Sequence, residues 1–122
     1  MSDQPLISIV DDDDSLRQAL IGLVRSLGYQ AAGFASAEDF LASDESAQSQ
    51  CVITDIQMPG LSGIELKQAL VERGCPSPVI MITARTETTL HERAFANGAF
   101  CLLQKPFAAE PLIECLEKAL AS

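Results

Sequence analysis

The sequence predicts an α/β protein, built as a doubly wound, open parallel sheet of five strands with helices on both faces. Two observations carry that expectation. Short apolar runs alternate with segments of helical periodicity along the whole 122-residue chain. One of the runs, "PVIMIT" (Pro78–Thr83), is also continuously apolar, as a strand buried on both faces must be. Strands that alternate with helices pair in parallel, because each crossover needs a helix to return the chain.

The elements follow in order. "LISIV" (Leu6–Val10) reads as a buried strand. From about Asp14, Leu16, Leu20, Leu23, Val24 and Leu27 recur at helical spacing until Gly28 stops the helix. "QAAGF" is a weak second strand, and Ser36, with Asp39 three residues on, predicts the N-cap of a short helix through Phe40 and Leu41. "CVIT" (Cys51–Thr54) is the third strand. After the turn "QMPGLSG", Ile64, Leu66, Ala69, Leu70 and Val71 form the third helix, closed by Gly74. Pro78–Thr83 is the fourth strand, about Thr88 to Asn97 the fourth helix, and "FCLL" the fifth strand. A fifth helix begins near Glu110, with Pro111 in its first turn and Leu112, Ile113, Leu116 and Leu120 on its apolar side. No linker or repeat interrupts the series, so residues 1–122 read as one domain.

Composition limits the function. A hydrophobic fraction of 48% and a charged fraction of 20% describe an ordinary globular chain, able to bury roughly two-thirds of its unfolded surface. Eight basic against seventeen acidic residues leave a net charge of −9, which argues against direct binding of nucleic acid or of an anionic membrane and suits a cation. "MSDQPL" has neither a basic nor a long apolar segment, and no run approaches membrane-spanning length, so a cytoplasmic protein is expected. Cys51, Cys75, Cys101 and Cys115 are widely spaced without a C-x-x-C, which suggests neither zinc nor a redox pair.

Ligands of open parallel sheets sit beyond the carboxyl ends of the strands, where strand order reverses. Beyond strand one lie Asp11 and Asp12, beyond strand three Asp55, at the end of strand four Thr83, and beyond strand five Lys105 and Pro106. Taken singly, each has an ordinary structural explanation. Asp13 and Asp14 are best read as caps of the first helix, where carboxylates meet free N–H groups. Asp11 and Asp12 precede the helix and would face Asp55. Three crowded carboxylates call for a hard divalent cation, and an open site with few protein ligands suits Mg2+. One carboxylate can then act as nucleophile toward a phosphoryl group, with a lysine and a hydroxyl balancing its oxygens. Asp55, Lys105 and Thr83 are candidates for those roles.

The set "IVDDDDSLR", "VITDIQMPGLSGIEL", "VIMITA" and "LLQKPF" resembles the receiver domain of two-component response regulators over nearly the whole chain. The resemblance implies a flavodoxin-like (βα)5 fold with strand order 2-1-3-4-5. It implies that Asp55 is phosphorylated by a histidine kinase or a histidine phosphotransfer protein, in a Mg2+-dependent, self-catalysed transfer rather than as a conventional enzyme. It assigns Asp11 and Asp12 to the acidic metal-binding pair, with Asp55, and the backbone carbonyl of Gln57 as the remaining protein ligands. Thr83 corresponds to the switch hydroxyl, Lys105 to the phosphoryl-pairing lysine, and Pro106 to a proline usually preceded by a cis peptide. A phosphorylation-dependent dimer or an output partner would be the downstream contact. One position departs from the pattern: receivers commonly carry Tyr or Phe three residues before the lysine, and here Leu102 stands there.

Two rival readings belong to other classes. "DDDDS" also fits the D-x-D-x-[T/S] signature of haloacid-dehalogenase-like phosphatases, with Asp11 as nucleophile and Asp13 as acid, although that family needs a longer chain. An unphosphorylated pseudo-receiver would be a binding module, and all five site side chains argue against it. A calcium loop starting at Asp11 fails, because Leu16 and Gly22 stand where glycine and a bidentate Glu are required. The chain stops soon after the fifth helix, so the expectation is either a single-domain regulator or a receiver cut from a longer protein.

Overall fold

The structure, a computed structural model, describes residues 4–121; the ends of the one-domain span 1–122, and the start of "MSDQPL", lie outside the described residues. The strands are β1 (Leu6–Val10), β2 (Gln30–Phe34), β3 (Cys51–Asp55), β4 (Val79–Thr83) and β5 (Ala99–Gln104). The helices are α1 (Asp14–Ser26), α2 (Ala37–Leu41), α3 (Glu45–Gln48), α4 (Gly63–Glu72), α5 (Thr88–Ala96) and α6 (Ala109–Ala121). All strand pairs are parallel, in the order β2-β1-β3-β4-β5. The order reverses beside β1, so the crevice between the ends of β1 and β3 is where a ligand is expected.

Alternation along the buried strands divides the core into two layers. Ile7, Ile9, Cys51, Ile53, Ile80 and Ile82 pack against Leu20, Ile21 and Val24 of α1 and Leu112 and Leu116 of α6. Val10, Val52, Val79 and Met81 face Phe40 of α2, Ile64, Leu66 and Leu70 of α4, and Ala94 of α5. Each of these strand side chains is fully buried. At roughly 1.5–3 kcal/mol per large apolar side chain, this two-sided burial is what holds the strand ends in register at the site.

The helix boundaries have local causes. Asp13 caps α1 by accepting from the Leu16 N–H, and Ser36 caps α2 by accepting from the Asp39 N–H. Ser62 and Glu65 form a reciprocal capping box on α4. Gly28, Gly74 and Gly98 follow helices α1, α4 and α5 with positive φ, the backbone region that L side chains avoid.

The short helix capped by Ser36 runs Ala37–Leu41, as expected, and a further four-residue helix, α3, follows it. Three strand boundaries need correction. The third strand extends one residue further, to include Asp55, and the fifth covers Ala99–Gln104. Pro78 lies outside β4: it accepts a hydrogen bond from the Val52 N–H but has no N–H to give. In β5 a register shift pairs Val79 with Ala99 but Ile80 with Cys101 and leaves Phe100 as the extra residue of a bulge. Phe100 is accordingly exposed, while Leu102 packs on the α5 side.

The cysteines are free thiols. Cys51 is fully buried and its thiol is pushed up to about 12 by burial; Cys115, beside Cys101, is also pushed up to about 12, chiefly by burial. Among the described residues no helix is long and apolar enough to cross a membrane.

Gly63 is where α4 meets β3. A Cβ there would lie 2.5 Å from the Asp55 carbonyl oxygen and 3.1 Å from the Ile56 Cα, both backbone atoms. Gly22, inside α1, has nothing within 4 Å of that position. Gly63→Ala should therefore destabilise by about 1–3 kcal/mol, whereas Gly22→Ala should stabilise by about 0.5–1 kcal/mol. Urea unfolding of the two variants checks this opposition of sign.

Candidate functional site

The run Asp11–Asp14 divides by geometry. Asp13 and Asp14 serve the helix: Asp13 is the N-cap, and Asp14 is ion-paired with Arg17 one turn on. Asp11 is turned into the sheet edge. Its side chain is 1% exposed, its N–H donates to the Phe34 carbonyl at 3.1 Å, and its Oδ1 accepts from the Asp13 N–H at 2.9 Å. Asp12 is exposed beside it.

Asp55 ends β3, and pairing of the Ile56 N–H with the Ile82 carbonyl at 2.8 Å carries the ladder past it. Lys105 reaches in from beyond β5. Its N–H donates to the Thr83 carbonyl at 2.7 Å, and its Nζ donates to Asp55 Oδ2 at 3.2 Å and stands 3.7 Å from Asp11 Oδ2. The bond between Lys105 and Pro106 is cis. Thr83 is fully buried; its Oγ1 donates to Gln57 Oε1 at 2.8 Å and accepts from the Arg85 N–H at 3.0 Å.

The structure thus brings Asp11, Asp12, Asp55 and Lys105 together, with Thr83 and Gln57 adjoining. Leu102 stands apart from them: it pairs with Met81 and packs, half-buried, in the layer beneath α5.

The electrostatics are dominated by burial. Desolvation raises the carboxyl of Asp11, opposed by the Asp13 N–H and the Lys105 charge. Desolvation likewise raises Asp55, opposed by Lys105 through its charge and its hydrogen bond, and by the Gln57 N–H. A single ammonium serves both carboxylates. Asp11 Oδ2 is buried with no hydrogen-bond partner among the described residues. One oxygen from each of Asp11, Asp12 and Asp55 lies within 4.8 Å of the others. An orphaned buried anionic oxygen among three converging carboxylates fits a small divalent cation.

Sequence reasoning missed three supports of the site. Arg17 donates to the Asp11 carbonyl at 2.8 Å, fixing the strand end from α1. Glu38 of α2 accepts from the Leu61 N–H at 3.1 Å and lies against Gly60, which tethers the loop after Asp55. The Arg85 N–H anchors Thr83. The spacing of Asp14 and Arg17 hinted at the first; nothing local hints at the others.

This geometry matches known proteins. The family model described as "Response regulator receiver domain" matches residues 7–117. The transcriptional regulatory protein TdiR of Thauera aromatica is 38% identical over 115 residues, covering 94% of this chain and 51% of TdiR. The transcriptional regulatory protein FixJ of Azorhizobium caulinodans is 34% identical over 114 residues, covering 93% of this chain and 54% of FixJ. A crystal structure of FixJ-N superposes with a TM-score of 0.88 at 31% identity, covering 99% of this chain and 96% of that one. The chain belongs to the receiver domains of two-component response regulators, which act in phosphorelay signalling and are signalling domains rather than conventional enzymes. It spans about half the length of these curated relatives.

The raised carboxyl of Asp11 gives a signed expectation for the metal-free protein. A group held above its ordinary value favours the folded state when protonated, and that contribution is lost as pH rises through the folded value. Near pH 7 the buried Asp11 charge therefore costs stability, and Asp11→Asn should raise Tm by a few degrees. The advantage should shrink as pH falls toward 3.8, the ordinary value, where Asp11 itself becomes neutral. Thermal melts of both proteins in chelator from pH 7 to pH 4 check it.

Proposed function

We propose that Asp55 is the phosphoacceptor of this receiver, charged by a histidine kinase or histidine phosphotransfer protein in a reaction that requires Mg2+. The observation that carries the reading is the Lys105 Nζ seated between Asp55 Oδ2 and Asp11 Oδ2 at the mouth of the crevice. An oxygen of the Asp55 carboxylate attacks phosphorus in line, the bond from phosphorus to the donor histidine nitrogen breaks, and an acyl phosphate forms. Lys105, already paired to Asp55, follows the developing charge and pairs with a phosphoryl oxygen. The Thr83 hydroxyl donates to another. Asp11, Asp12, Asp55 and the Gln57 carbonyl would hold Mg2+, which supplies the positive charge that lets an anion approach three carboxylates. Pro106 fixes the turn that aims Lys105 inward.

Two features bear on partners. Leu16, Ala19, Leu20 and Phe107 line a largely apolar cavity of about 620 Å3 that borders Lys105 and Pro106. A donor histidine has to reach Asp55 from this rim, so the kinase or phosphotransfer partner docks here. The relatives extend well beyond the region matched, and they are named as transcriptional regulators, so the output of the whole protein is a change in a dimer contact or an attached output domain. The domain itself binds no nucleic acid, in keeping with its charge of −9, and works in the cytoplasm as a receiver does. Leucine at position 102 makes the relay to the α5 and β5 face weaker than an aromatic ring would, because it lacks a ring with two distinct positions.

The phosphatase reading needs Asp13 as a free acid, yet Asp13 is occupied as the cap of α1. Incubation with acetyl phosphate and Mg2+ should add one phosphoryl mass, lost with EDTA and in Asp55→Asn. Labelling that survives Asp55→Asn but not Asp11→Asn would reverse the assignment. Leu16→Arg should slow transfer from the protein donor while acetyl phosphate still labels.

A further inference from the structure

Thr83 has one hydroxyl proton, and in this structure that proton is already committed. Oγ1 is fully buried, accepts from the Arg85 N–H at 3.0 Å and donates to Gln57 Oε1 at 2.8 Å. A hydroxyl offers a single O–H donor, so any new acceptor has to displace the present one. Gln57 belongs to the segment that follows Asp55, and its side chain is not needed for a backbone carbonyl to bind a metal. It is half-buried and borders an open cleft of about 920 Å3 between α4 and α5, which also exposes Glu65, Arg85 and Arg93. The amide can therefore leave Thr83 and be solvated.

We propose that the Gln57 side chain is a latch on the Thr83 hydroxyl: its Oε1 holds the switch proton in the unphosphorylated protein and competes with a phosphoryl oxygen for it. The proposal rests on the reading of Asp55 as phosphoacceptor and adds a positioning role for a side chain that reading does not use. The latch makes the off state cost something to leave. Binding that depends on a fractionally populated competent state is weakened by that fraction, so removing the latch tightens it. A neutral hydrogen bond contributes an amount that corresponds to about a two- to tenfold change in such an equilibrium.

The test is a double-mutant cycle in the intact chain with Mg2+ and beryllofluoride as phosphoryl mimic, followed by amide NMR. Gln57→Leu keeps the backbone carbonyl and removes the acceptor, and it should tighten apparent beryllofluoride binding about two- to tenfold. In a Thr83→Ala background the same substitution should make no difference, since no hydroxyl is left to hold. A second readout needs no mimic: three-bond couplings to the Thr83 methyl should report one rotamer in the wild type and averaging in Gln57→Leu. Unchanged or weaker binding in Gln57→Leu, an equal gain in the Thr83→Ala background, or a Thr83 rotamer indifferent to Gln57 would overturn the latch alone. Beryllofluoride binding that persists in Asp55→Asn would overturn the phosphoacceptor reading, and the latch with it.

Discussion

The rest of the structure depends on two buried carboxylates that share one lysine. Asp11 and Asp55 sit side by side at the carboxyl edge of the sheet, and Lys105 spans them at 3.7 and 3.2 Å. Burial raises both carboxyl groups despite that ammonium, so the folded chain holds a charge imbalance it would shed if it could. The cost is tolerable because the surrounding core is not asked to yield. Strands β1, β3 and β4 are buried on both faces and carry the two aspartates and Thr83 on rigid ends. An imbalance maintained by a stiff scaffold is what makes a site receptive to a cation and then to an anion.

The neighbouring structure can be read as support for that imbalance. Arg17 holds the Asp11 backbone from α1, leaving both carboxylate oxygens of Asp11 uninvolved with it. Gly63 lets α4 approach the Asp55 carbonyl, so the loop bearing Gln57 leaves the strand in a tight, fixed path. Glu38 then ties the far end of that loop to α2 through the Leu61 N–H. Lys105 is anchored twice, by its side chain on Asp55 and by its N–H on the Thr83 carbonyl, so the ends of β4 and β3 are joined through one residue.

Much of this was legible in the sequence, for physical reasons that differ by element. Parallel strands buried on both faces appear as unbroken apolar runs, so "LISIV" and "VIMIT" declare themselves, and the crossover rule converts their alternation with helices into a single site edge. Asp13 and Ser36 were readable as caps because capping is local chemistry. The four-residue α3 was not, since serine hydroxyls rather than apolar spacing decide its limits. The bulge at Phe100 was not legible, because strict two-residue alternation assumes none and a bulge is set by how β5 meets β4. The contacts of Arg17 and Glu38, and the bond from Thr83 to Gln57, are tertiary: both partners are visible in the sequence, but their meeting is not.

The most direct test of the central claim is the thermal response of the protein to Mg2+ at neutral pH. If the converging carboxylates of Asp11, Asp12 and Asp55 are short of positive charge, Mg2+ should raise Tm by about ten degrees at a hundredfold excess over its Kd. The rise should collapse in a variant carrying both Asp11→Asn and Asp12→Asn. A wild-type Tm indifferent to Mg2+, or an equal rise in the doubly substituted protein, would contradict the account.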